Sequence, residues 1–378
     1  MELTYKNKKN KQQILKKNEP AKLIQVNSPS SHDVINMLIK GENLNAMQSL
    51  IQKYNLRCKI DLVYIDPPFA TNTIFRGNEL RTSHISSSLK DDIAYSDNLL
   101  GSAYLEFIRE RLILIRELMS EESSIYLHID YKIGHYIKII MDEVFGEKNF
   151  RSDITRIKCN PKNFGRKAYG NIKDLILFYT KTDKYIWNEP KHKRAEDEVK
   201  RLFTKIDING RYYTTNPLHA PGETKNGNTG KKWRDMLPPT GRHWRYDPKV
   251  LDELDAKGLI EWSSTGNPRK IVYADEMPYK KLQDIWEFKD PPRPIYPTEK
   301  NIELLKTIIK TSSNPKSIVF DCFCGSGGTL VASKMLGRNW IGIDNSEMAI
   351  KTTLKRLQES KSNLFQESEF RYLNEVSG

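Results

Sequence analysis

The sequence predicts an α/β protein on a doubly wound, mainly parallel sheet, interrupted by an inserted second domain. Three observations carry this. Short apolar runs alternate with segments of helical periodicity over most of the chain. One apolar run passes through a glycine-rich loop into a helix, an arrangement that brings a nucleoside-containing cofactor close to backbone. Between residues 181 and 290 the periodicity fades, and aromatic and basic residues intermix.

Taken in order, residues 1–25 carry many lysines and few apolar side chains and read as a flexible basic tail. His32–Ile39 reads as a strand and Leu44–Tyr54 as a short helix. Ile60-Asp61-Leu62-Val63-Tyr64-Ile65 is a buried strand that runs into Asp66-Pro67-Pro68-Phe69. Residues 70–97 are polar and aperiodic, and a loop of that length suits a functional flap beside Phe69. Tyr104–Met119 is an amphipathic helix with Leu105, Ile108, Leu112, Ile115 and Leu118 at helical spacing. Strand Ser124–Ile129, helix Ile133–Phe145 and strand Asp174–Thr180 follow. Beyond the aromatic–basic block, Ser317–Asp321 is a buried strand, Leu330–Leu336 is helical, and Asn339–Ile343 is a strand that ends at Asp344. The expected organisation is one domain from 26–180 with 291–365, an insert at 181–290, and a tail at 366–378.

The chain has 378 residues, a formal net charge of +13 and a pI near 9.3, which favours a polyanionic partner. No apolar stretch approaches the ~20 residues that span a bilayer, and the N-terminus lacks an apolar signal core. Membrane and secretion are disfavoured, and a cytoplasmic protein is expected. The cysteines Cys58, Cys159, Cys322 and Cys324 lack zinc spacing, so no metal is expected and a reduced compartment fits.

Two motifs carry chemistry. In Asp66-Pro67-Pro68-Phe69 each proline fixes its own φ and removes a backbone donor. What remains is a carboxylate, bare carbonyl oxygens and an aromatic face. That set can accept both protons of an exocyclic amino group while stacking on its ring. Alone, the tetrapeptide reads equally as a strand followed by a turn. The loop Cys322-Phe323-Cys324-Gly325-Ser326-Gly327-Gly328-Thr329 lacks Gly-Lys-Ser/Thr and is not a phosphate-cradling P-loop. Asp344, about 20 residues later, fits hydrogen bonding to ribose hydroxyls. It fits equally as the N-cap of the helix Ser346–Leu357, and the two roles are compatible. Ligands of doubly wound sheets bind where strand order reverses, so the strands before the two motifs are expected to be neighbours.

Together the motifs resemble the DNA amino-methyltransferases, which use S-adenosylmethionine to methylate adenine N6 or cytosine N4. Asp66–Phe69 is similar to their catalytic motif and Phe323-x-Gly325-x-Gly327 to their cofactor loop. Tyr296-Pro297-Thr298-Glu299-Lys300 resembles a His/Tyr-Pro-Thr-Gln-Lys signature that touches the methionine end of the cofactor, with Glu299 where Gln is usual. The motif order matches the permuted β group. The resemblance covers roughly residues 30–360 and is weakest in the middle.

The resemblance implies a Rossmann-like methyltransferase sheet and S-adenosylmethionine as cofactor. It implies Asp66, Pro67, Pro68 and Phe69 as catalytic residues. Its cofactor site would use Asp66, Thr298, Lys300, Asp321, Phe323, Gly325, Gly327, Thr329 and Asp344. Glu42 and Asn43 join them, because the family places a polar residue near the cofactor adenine there. Double-stranded DNA is the implied partner, and 181–290 is expected to be a target-recognition domain. Its DNA contacts would include Lys231, Lys232, Trp233 and Arg234, and Arg242, Trp244 and Arg245. Each tryptophan alone reads equally as part of a small satellite core. Asp66 in the first motif position favours adenine N6, with cytosine N4 as the alternative. A specificity subunit without catalysis is a further alternative, opposed by the intact Asp66, Phe69, Gly325, Gly327 and Asp344. A restriction–modification setting is expected; a cognate endonuclease and a homodimer stay open.

Overall fold

The computed structural model describes residues 2–17, 19–29, 34–68, 74–78, 81–82, 92–96, 101–161, 165, 167, 169–292, 294, 296, 299–360 and 369–376. The chain divides into two compact units, Met1–Pro190 with Gln283–Gly378, and Lys191–Leu282.

In chain order the first unit opens with α1 (Lys11–Lys17), β1 (Lys22–Gln25), β2 (Met37–Lys40), α2 (Asn43–Gln52) and β3 (Ile60–Ile65). Three short strands follow, β4 (Ile74–Asn78), β5 (Arg81–Thr82) and β6 (Asp92–Ser96). Then come α3 (Gly101–Leu118), β7 (Met119–Ile129), α4 (Tyr131–Phe145), β8 (Phe150–Ile157) and β9 (Lys173–Thr180). The second unit contains β10 (Lys191–Lys193), α5 (Glu196–Leu202), β11 (Lys205–Ile206), β12 (Tyr212–Pro217), β13 (His219–Pro221), β14 (Arg242–Trp244), α6 (Pro248–Ala256), β15 (Ile260–Trp262), β16 (Pro268–Tyr273) and β17 (Tyr279–Lys281). The first unit resumes with β18 (Ile285–Glu287), α7 (Ile302–Ser312), β19 (Ile318–Asp321), α8 (Gly328–Met335), β20 (Asn339–Asp344), α9 (Glu347–Glu359) and β21 (Arg371–Val376).

The first unit is built on one sheet in the order β1-β21-β2-β20-β19-β3-β7-β9-β8-β18. Pairing is parallel from β21 through to β7, while β9 runs antiparallel to β7 and β8. The two motif strands are neighbours, as expected: Leu62 pairs with Val319 and Val63 with Phe320. Strand order reverses at this point, since β19 leads on to β20 on one side and β3 to β7 on the other. The near-continuous apolar run of β3 follows from burial on both faces. Its one charged residue, Asp61, accepts from the Ile318 amide at 2.9 Å and from Ser120 Oγ at 3.2 Å. That carboxylate ties β3 to the starts of β19 and β7. Ile108, Leu112 and Ile115 of α3 enter the main core with Val63, Ile65 and Phe320.

Several expectations change. The N-terminal segment is not a free tail: Ile14 is buried, Tyr5 donates to Glu106 at 2.5 Å and Lys8 pairs with Glu143 at 2.7 Å. Its cations neutralise acids on α3 and α4. The C-terminal segment is not a tail either, because β21 lies between β1 and β2. The first expected strand begins only at Met37. Asn36 ahead of it uses its side chain instead, accepting from the Trp340 amide at 2.9 Å and donating to Glu369 O at 3.2 Å. Within 70–97, β4 pairs with β5 and β6; residues 70–73, 79–80, 83–91 and 97 lie outside the described residues. Strand β8 was missed, since Arg151, Asp153 and Arg156 break its apolar alternation. The inserted unit is narrower than 181–290, because β18 stays in the main sheet on β8.

The second unit holds a four-stranded antiparallel sheet, β11-β12-β16-β15, and the two-stranded pairs β10–β17 and β13–β14. Its core is Leu218, Trp233, Trp244 and Leu251.

If β21 is integral, Leu373→Ala should cost about 2–5 kcal/mol, because Leu373 is buried in the main core. Urea denaturation checks this; a disordered tail would give a change within about 0.5 kcal/mol.

Candidate active site

Where β3 ends, Asp66-Pro67-Pro68 leaves the sheet at the switch point. Asp66 Oδ2 lies 2.7 Å from Lys300 Nζ. Asp66 Oδ1 is buried and has no hydrogen-bond partner among the described residues. The Pro68 carbonyl accepts from the Tyr104 hydroxyl at 2.6 Å. Phe69 and Thr298 lie outside the described residues.

Across from this loop, β19 ends in Asp321. Its Oδ1 accepts from the Phe323 amide at 3.0 Å and its Oδ2 from Thr329 Oγ1 at 2.7 Å, so one carboxyl closes the glycine loop at both ends. Gly325 and Gly327 have φ of +50° and +74°, the left-handed region that suits glycine. A Cβ on Gly327 would also lie 2.6 Å from the Thr353 side chain. Asp344 Oδ2 accepts from the Gly325 amide at 2.8 Å and Oδ1 from Ser346 at 2.9 Å. The N-cap of α9 is Ser346, which bonds the Ala349 amide at 3.3 Å. Asp344 therefore braces the loop rather than capping the helix.

Glu299 has a charged partner where the family usually has Gln. Arg356 pairs with it at 2.9 Å and donates to Ser326 Oγ of the glycine loop at 2.8 Å. At the far end of the site, Glu42 N-caps α2 through the amides of Leu44 (2.8 Å) and Asn45 (3.1 Å) and pairs with Arg111. Asn43 is committed to structure: its Oδ1 accepts from Arg111 Nε at 2.6 Å and its Nδ2 donates to Cys322 O at 2.9 Å. Of these two candidates Glu42 is the accessible one, with its side chain 41% exposed.

The electrostatics favour a cation. Burial first, with the nearby charges of Asp66 and Asp344 acting in the same direction, raises the Asp321 carboxyl to about 7 against the hydrogen bonds from Thr329 and Phe323. Burial also raises Asp344. Three carboxyls thus converge here, with Lys300 paired to one of them.

A buried polar network beneath the loop gave no sequence signal, because its members sit inside strand-like runs. Tyr64 Oη is 2.9 Å from His128 Nδ1, and His128 Nε2 is 3.2 Å from Asp174 Oδ2. Burial holds the His128 imidazole below its ordinary value. Lys158, 2.6 Å from Asp174, supplies a counter-charge.

Residues 60–355 match a family of DNA methylases of the N6/N4 type. The chain belongs to this N6/N4 DNA methylase family. It is 41% identical over 364 residues to the type II methyltransferase M.EcaI of Enterobacter cloacae, covering 94% of this chain and 77% of that one. It is 43% identical to the type II methyltransferase M.HinfI of Haemophilus influenzae, covering 88% and 71%. With the type III EcoPI Mod subunit of Escherichia phage P1 it shares 25% identity over 84% of this chain, and it spans 58% of that subunit. Among solved structures, the M1.HpyAVI–SAM complex matches 85% of this chain and 99% of that chain, with TM-score 0.44 and 18% identity. No helix among the described residues of this methylase is long and apolar enough to cross a membrane.

The second unit of the methylase corrects two site expectations. Trp233 and Trp244, 2% and 1% exposed, are core residues and present no stacking face. Their indole N–H groups are satisfied internally, by Asp252 at 2.8 Å and Lys231 O at 3.0 Å. Arg234 is paired with Asp255. Lys231, Lys232, Arg242 and Arg245 are exposed.

The raised Asp321 carboxyl has a pH consequence. Between its ordinary value of 3.8 and about 7 the folded state keeps a proton that the unfolded chain has released. Stability therefore falls as pH rises through that window, and the loss is complete above it. Asp321→Asn should gain over wild type at pH 8, by on the order of 2–4 kcal/mol, and gain little at pH 4. Urea denaturation of the ligand-free protein at both pH values checks this.

Proposed function

We propose that this methylase transfers the methyl group of S-adenosylmethionine to the N6 amino group of adenine in double-stranded DNA, as the modification enzyme of a restriction–modification system. The observation that carries the reading is the Asp66 carboxylate, with one oxygen anchored on Lys300 and the other buried and without a partner among the described residues.

The residues present fit the cofactor. Two glycines remove side chains from the loop, Asp344 offers a carboxylate at its edge, and the converging carboxyls favour a cationic ligand. Glu42, Thr298, Lys300 and the loop from Phe323 to Thr329 would complete its site. When bound, S-adenosylmethionine supplies an electrophilic methyl group on a positively charged sulfur.

The chain's own residues prepare the amino group. A base inside a duplex must be flipped out, at a cost of a few kcal/mol. Stacking on Phe69 offsets about 1–3 kcal/mol of that. The amino lone pair is delocalised into the ring and is a poor nucleophile. Asp66 Oδ1 and the Pro67 carbonyl accept its two N–H bonds, which localises the lone pair and aims it away from the acceptors. Lys300 holds the carboxylate so that it need not reorganise as charge builds on nitrogen. The proton lost from the methylated nitrogen passes to Asp66 or to water.

Asp rather than Ser in the first motif position supports adenine. The similarity to type II methyltransferases and to a type III Mod subunit supports the restriction–modification setting and a cognate endonuclease as partner. The test is to incubate the protein with DNA and methyl-labelled cofactor and digest to nucleosides. Label in N6-methyldeoxyadenosine is expected. Label in N4-methyldeoxycytidine would overturn the choice of base, and absence of label would overturn transfer itself.

The second unit is proposed as the target-recognition domain. Arg242 and Arg245 make no ion pair among the described residues, whereas Arg211 is held by Asp275 at 2.8 Å and Arg234 by Asp255. Arg245 also lines a groove of about 620 Å³ with Asn216, Tyr246 and Lys270. Arg245→Ala should weaken DNA binding and, for a phosphate contact, lower the salt slope by about 0.9. Arg234→Ala should leave both nearly unchanged. Fluorescence anisotropy across a salt series reads the difference.

A further inference from the structure

One stripe of α3 touches three parts of the site. Tyr104, Phe107 and Arg111 are three and four residues apart, so they lie along one face of the helix. Tyr104 is 1% exposed, and its hydroxyl donates to the Pro68 carbonyl at 2.6 Å. The Phe107 ring stacks 6.4 Å from that of Tyr104 and lies 6.0 Å from that of Phe323 in the glycine loop. The Arg111 guanidinium sits 3.5 Å over Phe107, bonds Asn43 at 2.6 Å and pairs with Glu42. Asn43 in turn donates to the Cys322 carbonyl. A continuous chain of contacts thus runs from the catalytic tripeptide to the start of the cofactor loop.

The Pro-Pro segment has no backbone N–H, so it cannot fix its own orientation by donating to the sheet. The hydroxyl of Tyr104 holds it through its second carbonyl. That bond fixes the position of the Pro68 carbonyl oxygen relative to α3. Asp66 Oδ1 has no partner among the described residues, and with the Pro67 carbonyl it forms the acceptor pair of the proposed transfer.

We propose that Tyr104 is a positioning residue for methyl transfer: its hydroxyl orients the tripeptide acceptors, and Phe107 and Arg111 tie that orientation to the cofactor loop. The proposal rests on reading Asp66-Pro67-Pro68 as the transfer site. Misplacement of reacting groups by about 1 Å can cost 10²-fold in rate, so a loss of about tenfold or more is expected when the hydroxyl is removed.

The test uses Tyr104→Phe in the full chain, which keeps the buried ring. Four quantities are read: single-turnover methyl transfer with saturating cofactor and target duplex, cofactor Kd by calorimetry, 2-aminopurine fluorescence for base flipping, and Tm. The expected result is a rate lower by about tenfold or more, with Kd and flipping within about twofold and Tm within about 2 °C. The double variant Asp66→Ala/Tyr104→Phe should be no slower than Asp66→Ala alone, because the hydroxyl acts through the same acceptor set. A wild-type rate in Tyr104→Phe overturns the proposal. So does a rate loss matched by a fall in Tm, or one that adds fully to that of Asp66→Ala. A wild-type rate in Asp66→Ala itself overturns the reading of the site, and the proposal with it.

Discussion

The parallel pairing of β3 with β19 joins segments that stand 257 residues apart, as the bond between Asp61 and the Ile318 amide marks. Both strands end at the same edge of the sheet, where strand order reverses. The Asp66-Pro67-Pro68 tripeptide leaves one strand there and the glycine loop leaves the other. The order of motifs along the chain is then immaterial, since sheet adjacency places them in one crevice. Asp61 is the one charged residue in the β3 run, and its carboxylate also reaches Ser120 ahead of the buried part of β7.

Around that crevice, charge is both concentrated and held. Asp321 spends both oxygens on the glycine loop, and Asp344 spends one on Gly325 of the loop and the other on the Ser346 amide at the start of α9. Asp66 has one oxygen on Lys300, and its other oxygen has no partner among the described residues. This asymmetry sets Asp66 apart from the two carboxyls that brace the loop, and it is the basis for proposing Asp66 as the acceptor of the substrate amino group. Glu299 follows the same logic: as a carboxylate in place of an amide it recruits Arg356, and Arg356 also holds Ser326 of the loop.

The parts legible in the sequence were those with strong local signatures. The buried run of β3, the Asp-Pro-Pro turn and the strand–glycine–helix unit each have a local physical cause, and their adjacency follows from the general behaviour of doubly wound sheets. The parts that were not legible depend on long-range contacts. The lysines near the N-terminus look like a solvated tail until Glu110 and Glu143 are placed beside Lys9 and Lys8. The strand β21 is short and polar, and its place between β1 and β2 is set by pairing rather than by composition. The tryptophans 233 and 244 sit among lysines and arginines in sequence, yet they form the core of the small second unit. Tyr104 and Arg111 were hidden within an amphipathic pattern that counts apolar positions and passes over polar atoms turned inward.

The proposed chemistry depends on Asp66 Oδ1, which has no partner among the described residues. The most direct measurement is a crystal structure of the chain with a duplex containing its target and with S-adenosylhomocysteine. The expected result is a base out of the stack, with its exocyclic amino nitrogen about 2.7–3.2 Å from Asp66 Oδ1 and the Lys300 pair intact. A flipped base whose amino nitrogen lies beyond about 4 Å from that oxygen, or an Oδ1 engaged by another protein group, would contradict it.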